Sequence, residues 1–314
     1  MNEVALHQPV LMREALDGLA LRHDGWYVDA TYGRGGHSAE ILARLGAQGR
    51  LLALDKDPEA VAHARERFGA EPRFELAHAG FEDLAGVAGP WLGGRPLAGI
   101  LFDLGVSSPQ LDQPARGFSF AADGPLDMRM NTSEGQTAAD WLAAASHGEI
   151  VRVLRDYGEE PRARQLASAI VRARAAAPLT STRQLAELIG AHAGRGKRRI
   201  HPATLAFQAI RIAINDELGA LERGLAAALE LLGGGGRLVA ISFHSLEDRV
   251  VKRFMAREAR GDEAYAGLPN IPPEARPRLK LVGKLVRPAD DEVARNPRAR
   301  SARLRVAERL EVAA

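Results

Sequence analysis

A glycine-rich turn and two carboxylates near the start of the chain could hold a nucleoside-containing ligand. The turn, Gly33–His37, follows the apolar run Trp26–Val28 and Asp29, and a helix-like segment comes after it. Glycines in such a strand–turn–helix unit let a ligand approach the bare backbone. A second carboxylate, Asp55, ends the next buried run, where it could accept hydrogen bonds from two ribose hydroxyls. This spacing therefore predicts a cofactor site.

Two details of the turn distinguish between cofactors. A dinucleotide fingerprint starting at Gly33 requires Gly or Ala at its sixth position, and Ser38 occupies that position. Asp29 stands before the turn, where a carboxylate suits a ligand with an ammonium group better than a pyrophosphate. S-adenosylmethionine carries an ammonium group and no phosphate. The turn therefore favours S-adenosylmethionine, although Asp55 alone is also compatible with NAD.

The segments that must position these residues alternate between strand and helix. Further strand-like runs lie at Arg50–Asp55, Phe74–His78 and Leu97–Asp103. A helix is predicted over Pro58–Phe68, because proline suits the first turn of a helix. The alternation predicts an α/β fold with a parallel sheet and helices on both faces. We therefore expect Asp55, Phe81 and Asp103 to lie near the carboxyl ends of neighbouring strands.

This alternation is interrupted after the fourth strand. Residues 105–135 are rich in Gly, Ser, Pro and Asp, and apolar residues at helical spacing dominate residues 137–193. A basic loop follows at Gly194–Arg199, and then a long helix predicted from Ala203 to Leu232. The helical stretch predicts a second domain inserted into the first.

Strand-like segments return near the C-terminus. They lie at Arg237–Phe243, Leu279–Val286 and Ala302–Glu308. The simplest organisation is a sheet domain over residues 1–110 and 205–314, with an inserted helical domain over residues 111–204.

Composition excludes several classes of protein. The 314 residues include 46% hydrophobic and 26% charged side chains, which is typical of a globular protein. No cysteine is present, so disulfides and thiolate chemistry are excluded, and the dispersed histidines predict no metal site. No apolar run reaches the roughly 20 residues of a membrane helix, and the N-terminal residues lack a signal-peptide pattern. We therefore expect no membrane association and a cytoplasmic location.

Basic residues are concentrated in two segments. Residues 147–202 contain eleven Arg and Lys against five Asp and Glu, and residues 276–309 contain eleven against four. Such asymmetry is typical of surfaces that bind a polyanion. Solvated, arginine-rich helix faces would give the same pattern, and charge alone does not decide between them.

Two other apparent motifs do not support a site. Gly190–Lys197 resembles a phosphate loop but has the wrong glycine spacing. The segment Ser242–Asp248 contains Ser, His and Asp, but adjacent residues rarely converge into a triad. Ser245 and Asp248 instead fit a helix-capping box. His244 could line the cofactor pocket or have a structural role.

Eight separated motifs are distinctive. They are His7–Glu14, Asp103–Asp112, Arg116–Phe120, Pro125–Met130, His201–Thr204, Phe207–Ala209, Ile241–Arg249 and Asn296–Ser301. These motifs occur in the same order in the ribosomal RNA small subunit methyltransferase H (MraW) family, which the chain resembles over essentially its whole length. The resemblance implies a Rossmann-like class I methyltransferase sheet with an inserted all-helical substrate-recognition domain. One departure is Leu205, where related sequences usually carry Arg; if that Arg contacts RNA in the family, this chain lacks the contact.

The resemblance also implies an activity and a set of contacts. The activity is methyl transfer from S-adenosylmethionine to the exocyclic N4 of one cytidine in the decoding region of 16S rRNA. The implied cofactor contacts are Gly35, Gly36, His37, Asp55, Phe81, Asp103 and Gln110. Asp103, His244 and the loop Ser107–Pro109 are candidates for assisting the target amine. The expected partner is the rRNA or the 30S particle, and an apolar face of the insert could serve a homodimer.

Two other functions stay open at this point. One is an NAD(P)-dependent oxidoreductase, against which Ser38, Asp29 and the lack of a proton-relay pair argue. The other is a non-catalytic RNA-binding protein on the same fold, against which the intact glycine turn argues.

Overall fold

The chain forms two compact units. The computed structural model describes residues 9–192, 201–265, 270, 272 and 275–311. The sheet unit comprises Met1–Gly105 and Leu218–Ala314, and the helical unit comprises Val106–Glu217. His7 and the predicted basic loop at residues 194–199 lie outside the described residues.

Helices and strands follow the predicted alternation. The strands are β1 (Trp26–Asp29), β2 (Arg50–Asp55), β3 (Phe74–His78), β4 (Leu97–Asp103), β5 (Leu232–Ser242), β6 (Leu279–Val286) and β7 (Arg303–Arg309). The helices are α1 (Met12–Leu19), α2 (Gly36–Arg44), α3 (Pro58–Phe68), α4 (Leu84–Leu92), α5 (Ser108–Asp112), α6 (Ala138–Ala144), α7 (His147–Asp156), α8 (Ala163–Ala176), α9 (Thr182–His192), α10 (Ala203–Asn215), α11 (Glu217–Leu231), α12 (Ser245–Arg260) and α13 (Asp290–Arg295). None of the helices in the described ranges is both long and apolar enough to cross a bilayer.

The strands of the sheet unit form one mixed sheet. Their order is β3-β2-β1-β4-β5-β7-β6 across the described residues. Strands β1 to β5 are parallel, whereas β7 runs antiparallel to both of its neighbours, β5 and β6. Asp29 pairs in register with Ala53 of β2 and Leu101 of β4. The carboxyl ends of β1, β2 and β4 therefore meet at one edge, as the sequence predicts.

Alternating side chains of the sheet fill two hydrophobic layers. On β5, Leu238 belongs to a core formed with α4, α11 and α12, whereas Val239 belongs to a core formed with α1 and α2. Both residues are fully buried, as parallel central strands covered on both faces require. This two-sided packing fixes the strand ends that carry the candidate site.

The helix predicted over residues 203–232 is two helices, because Asp216 breaks it. Asp216 has a left-handed backbone with φ 47°, and Arg211 pairs with Glu217 across the break through two hydrogen bonds of 2.7 and 2.8 Å. Phe207 and Ile210 of α10 pack in the core of the helical unit. The division between the units therefore falls after Glu217 and after Gly105, rather than after residues 204 and 110.

Candidate cofactor site

The carboxylate of Asp55 is held in place by the glycine turn. Backbone N–H groups of Gly33 and Asp57 donate to its two oxygens over 2.8 and 2.9 Å. These bonds fix the orientation of the carboxylate, and each oxygen keeps a second lone pair for another donor. Burial raises the pKa of Asp55 to about 6 despite these donors.

Two glycines of the turn have no room for a side chain. Gly35 has a left-handed backbone with φ 67°, and a Cβ there would lie 2.5 Å from the Tyr32 ring. A Cβ on Gly36 would lie 2.2 Å from Cγ of Pro9. The Tyr32 hydroxyl is in turn 2.9 Å from Nδ1 of His63 on α3. Tyr32 and Pro9 therefore pack against the turn, and a larger residue at Gly35 or Gly36 would displace it.

Asp29 lies inside the turn and not on its ligand-facing surface. The residue is 0% exposed; the Ser38 hydroxyl donates to one of its oxygens over 2.6 Å, and the Thr31 N–H donates to the other over 3.2 Å. The expectation that Asp29 faces a ligand ammonium is corrected accordingly. The departure from the dinucleotide fingerprint at Ser38 has a structural explanation, because the Ser38 hydroxyl donates a hydrogen bond to the buried carboxylate of Asp29.

Thr31 links the turn to the neighbouring strand and was missed by sequence reasoning. Its hydroxyl accepts a hydrogen bond from the backbone N–H of Asp103 over 2.7 Å. No spacing rule signals such a bond, because the two residues are 72 positions apart and meet only through the pairing of β1 with β4. The bond holds the end of β4 against the glycine turn.

Asp103 and His37 form the polar centre of the strand edge. Nδ1 of His37 lies 3.5 Å from Oδ2 of Asp103, and His37 is only 5% exposed. Burial lowers the pKa of His37 to about 4, so its ring is neutral at pH 7. Burial, and then the charges of Asp29 and Glu247, raise the pKa of Asp103 well above its usual value. Nε2 of His37 and Oδ1 of Asp103 are buried without a hydrogen-bond partner among the described residues.

Phe81 lies three residues after the end of β3, at the same edge as Asp55. Its ring packs edge-on against Phe102, with the ring centroids 5.8 Å apart, and Lys56 Nζ lies 5.8 Å from its centroid. The ring is half-buried. It therefore contributes to the core and also keeps exposed surface that a flat ligand ring could cover.

The end of β5 is organised by a capping box different from the predicted one. His244, not Ser245, is the N-cap of α12: its Nδ1 accepts from the Glu247 N–H over 3.3 Å. The Glu247 carboxylate accepts from the N–H groups of Phe243 and His244 over 2.8 and 3.2 Å. The predicted partner of Ser245, Asp248, instead pairs with Arg303 and Arg305 of β7. His244 is thus engaged in helix capping.

This cap is testable through stability. Replacing Glu247 with Ala leaves two partly buried N–H groups without their acceptor, and we expect it to lower the free energy of unfolding by about 2–4 kcal/mol. Ser245→Ala is the matched control, because Ser245 is exposed and caps nothing, and it should change the value by less than about 0.5 kcal/mol. Urea unfolding of both variants measures the difference; equal losses would contradict the His244 cap.

Gln110 is the one implied cofactor contact that belongs to the helical unit. Its Oε1 accepts a hydrogen bond from the Ser107 N–H over 2.9 Å, which closes the cap of α5, and the residue is buried. The structure therefore brings Gly35, His37, Asp55 and Asp103 together within the sheet unit, whereas Gln110 is assigned on resemblance alone.

This architecture defines the class of protein. A sheet of order 3-2-1-4-5-7-6 with one antiparallel strand, a glycine turn after β1 and a carboxylate at the end of β2 is the fold of a class I S-adenosylmethionine-dependent methyltransferase. Residues 4–310 match the model of the MraW methylase family. The chain belongs to this family.

Close relatives cover nearly the whole chain. A ribosomal RNA small subunit methyltransferase H of Nitrosococcus oceani is 53% identical over 311 residues, which cover 98% of either chain. A protein of the same name from Thioalkalivibrio sulfidiphilus is 55% identical over 307 residues and 97% of either chain. Among solved structures, an rRNA methylase from Streptococcus thermophilus superposes with a TM-score of 0.44 at 14% identity, covering 98% of this chain and 100% of that one. The family assignment depends on the sequence relatives.

Proposed function

We propose that this protein transfers a methyl group from S-adenosylmethionine to the exocyclic N4 of one cytidine in the decoding region of small-subunit rRNA. The observation that carries the proposal is the family match over residues 4–310, together with full-length relatives at 53–55% identity that are named for small-subunit rRNA methylation. The N4 position and the decoding region come from the resemblance of the separated sequence motifs. With such a substrate, we infer that the protein acts in the cytoplasm.

The residues at the strand edge fit S-adenosylmethionine. The fixed carboxylate of Asp55 suits two ribose hydroxyls, and the turn at Gly35 and Gly36 offers backbone without side chains. Oδ1 of Asp103 and Nε2 of His37 are buried polar atoms without a partner among the described residues, as expected of groups that meet a polar ligand. When bound, the cofactor supplies a methyl group on a positively charged sulfur. We assign Phe81 to its adenine ring and Gln110 to a further contact.

The protein's main task in the reaction is alignment. The amine of cytosine is a weak nucleophile because its lone pair is delocalised into the ring. Holding the amine in line with the methyl group and excluding water supplies much of the rate. An acceptor that binds an amine hydrogen would localise the lone pair on nitrogen. We propose Asp103 for this role, because its Oδ1 is buried without a hydrogen-bond partner among the described residues, whereas Nδ1 of His244 is used in the cap of α12.

The rRNA must present the target base outside its stack, because a stacked amine cannot reach the strand edge. The two basic segments, residues 147–202 and 276–309, would hold flanking phosphates. The positive charge of these segments fits naked rRNA and the 30S particle equally well as the substrate.

One experiment tests the activity directly. Small-subunit rRNA is isolated from cells with and without the gene; oligonucleotides that cover the decoding region and the total nucleosides are both analysed by mass spectrometry. We expect one cytidine in the decoding region to lose a methyl group in the deletion strain and to regain it on complementation with the wild-type gene. An unchanged nucleoside profile would contradict the proposed function. Transfer of label from tritiated S-adenosylmethionine to purified rRNA or 30S particles separates an enzyme from a non-catalytic RNA-binding protein.

Cofactor affinity should depend on pH through Asp55. Its pKa is raised by burial to about 6, and the ionised carboxylate is the better acceptor for ribose hydroxyls. Affinity should therefore fall as the pH falls through this value, and be about tenfold lower at pH 5 than at pH 7. Calorimetric titration with S-adenosylmethionine measures this. Asp55→Asn should bind weakly at both pH values; an equally steep pH profile in that variant would assign the titration to another group.

A further inference from the structure

Three sequence motifs without an assigned role meet in the helical unit. Phe120, His201 and Phe207 come from separate motifs, and their rings contact one another in series. The His201 and Phe120 ring centroids are 4.8 Å apart with an interplanar angle of 39°, and Phe120 meets Phe207 edge-on at 4.9 Å. Phe207 is buried, Phe120 is half-buried and His201 is exposed. The series of ring contacts therefore runs from the core of the unit to its surface.

The outermost ring is held in a fixed orientation. Nδ1 of His201 accepts a hydrogen bond from the Ala203 N–H over 3.2 Å, at the start of α10. Its ring is supported by Phe120, which is itself supported by the buried Phe207. A flat, exposed and preorganised ring loses little conformational entropy when another ring is laid on it.

We propose that His201, supported by Phe120, is a stacking platform for an unpaired base of the substrate RNA. This proposal rests on the proposed function, and it adds a base-binding subsite within the helical unit. Single-stranded RNA is recognised by stacking of bases on aromatic side chains, histidine included. Charge supports an RNA occupant, because residues 147–202 carry eleven basic against five acidic side chains. Since the target base must leave its stack, its neighbours lose their stacking partners and need a replacement.

A purely structural role for His201 makes a different prediction. As a helix cap, the residue would need only an acceptor for the Ala203 N–H, and its ring would be dispensable. Two variants separate the roles. His201→Asn keeps a side-chain acceptor and removes the aromatic ring, whereas His201→Phe keeps a ring and removes the acceptor.

The experiment measures RNA affinity at fixed salt, with S-adenosylmethionine affinity and thermal stability as controls. Stacking contributes roughly 1–3 kcal/mol per base, so we expect His201→Asn to weaken binding of 30S particles or rRNA by about 5- to 150-fold. His201→Phe should bind within about twofold of the wild type, because the stacking ring is retained. Cofactor affinity should be unchanged in both variants.

A second arm identifies the stacked base. In a short RNA that carries the target cytidine, neighbouring nucleotides are replaced one at a time by abasic residues. We expect one replacement to weaken binding to the wild type but not to His201→Asn, which is the coupling that a direct contact requires. Three results would overturn the platform. They are wild-type RNA affinity in His201→Asn, an equal loss of RNA affinity in His201→Asn and His201→Phe, and the absence of such coupling. Methylation of the target cytidine by the wild-type protein is measured separately. If it is normal, the proposed function holds even where the platform is contradicted.

Discussion

Asp55→Ala is expected to abolish measurable binding of S-adenosylmethionine. The carboxylate is fixed by the N–H groups of Gly33 and Asp57, with lone pairs left for two ribose hydroxyls. Hydrogen bonds to charged groups contribute about 1.5–3 kcal/mol each, so losing two should weaken binding by roughly 10²- to 10⁴-fold. The variant also frees the Gly33 N–H, which should loosen the turn that we propose as a cofactor contact. Isothermal titration calorimetry measures the affinity.

The control for this variant is Glu75→Ala. Glu75 is an exposed carboxylate on the neighbouring strand β3, away from the carboxyl ends of the strands. We expect this variant to bind S-adenosylmethionine as the wild type does. Circular dichroism of both variants checks that the sheet is intact, since Asp55 is at the end of its strand and outside the hydrophobic core. Unchanged affinity in Asp55→Ala with a folded sheet would contradict the assignment.

The sheet could be predicted from the sequence because its signals are local. The central strands Arg50–Asp55 and Leu97–Asp103 are short apolar runs, and they begin and end where predicted, as does the edge strand Phe74–His78. Strand β5 begins earlier than predicted, at Leu232, because Leu232 already pairs with Leu97 of β4; the glycine run then interrupts the register, which resumes with Arg237 opposite Gly99. The order of the strands follows from the fold class and not from any single segment.

Long-range side-chain pairings of the site could not be predicted. The bonds from Ser38 to Asp29 and from the Asp103 N–H to Thr31 depend on how strands and turn meet in space. The break at Asp216 was missed for a related reason, since helical spacing of apolar residues continues through it. The Glu247 cap had a local signal, an acidic residue three positions after His244, but histidine is an uncommon N-cap and Ser245 offered the commoner one.

Asp103→Asn should have the largest effect on the chemical step. The variant keeps the size of the side chain and an oxygen acceptor, but it removes the negative charge that would polarise the target amine. Loss of a positioned proton acceptor typically costs about 10²- to 10⁴-fold in rate, and we expect a fall of this order in single-turnover methyl transfer at saturating cofactor. The affinity for RNA should change little, because the substitution acts on the reacting group and not on the flanking phosphates.

The pH dependence of the same reaction identifies the carboxylate. Burial, followed by the charges of Asp29 and Glu247, raises the pKa of Asp103, and only the ionised form can act as the charged acceptor. The wild-type rate should therefore increase with pH through this raised pKa, and the increase should disappear in Asp103→Asn. Asp83→Asn is the control, since Asp83 is an exposed carboxylate that follows β3, and it should retain both the rate and its pH profile. A pH profile that persists in Asp103→Asn would assign the titrating group elsewhere and leave Asp103 with cofactor binding alone.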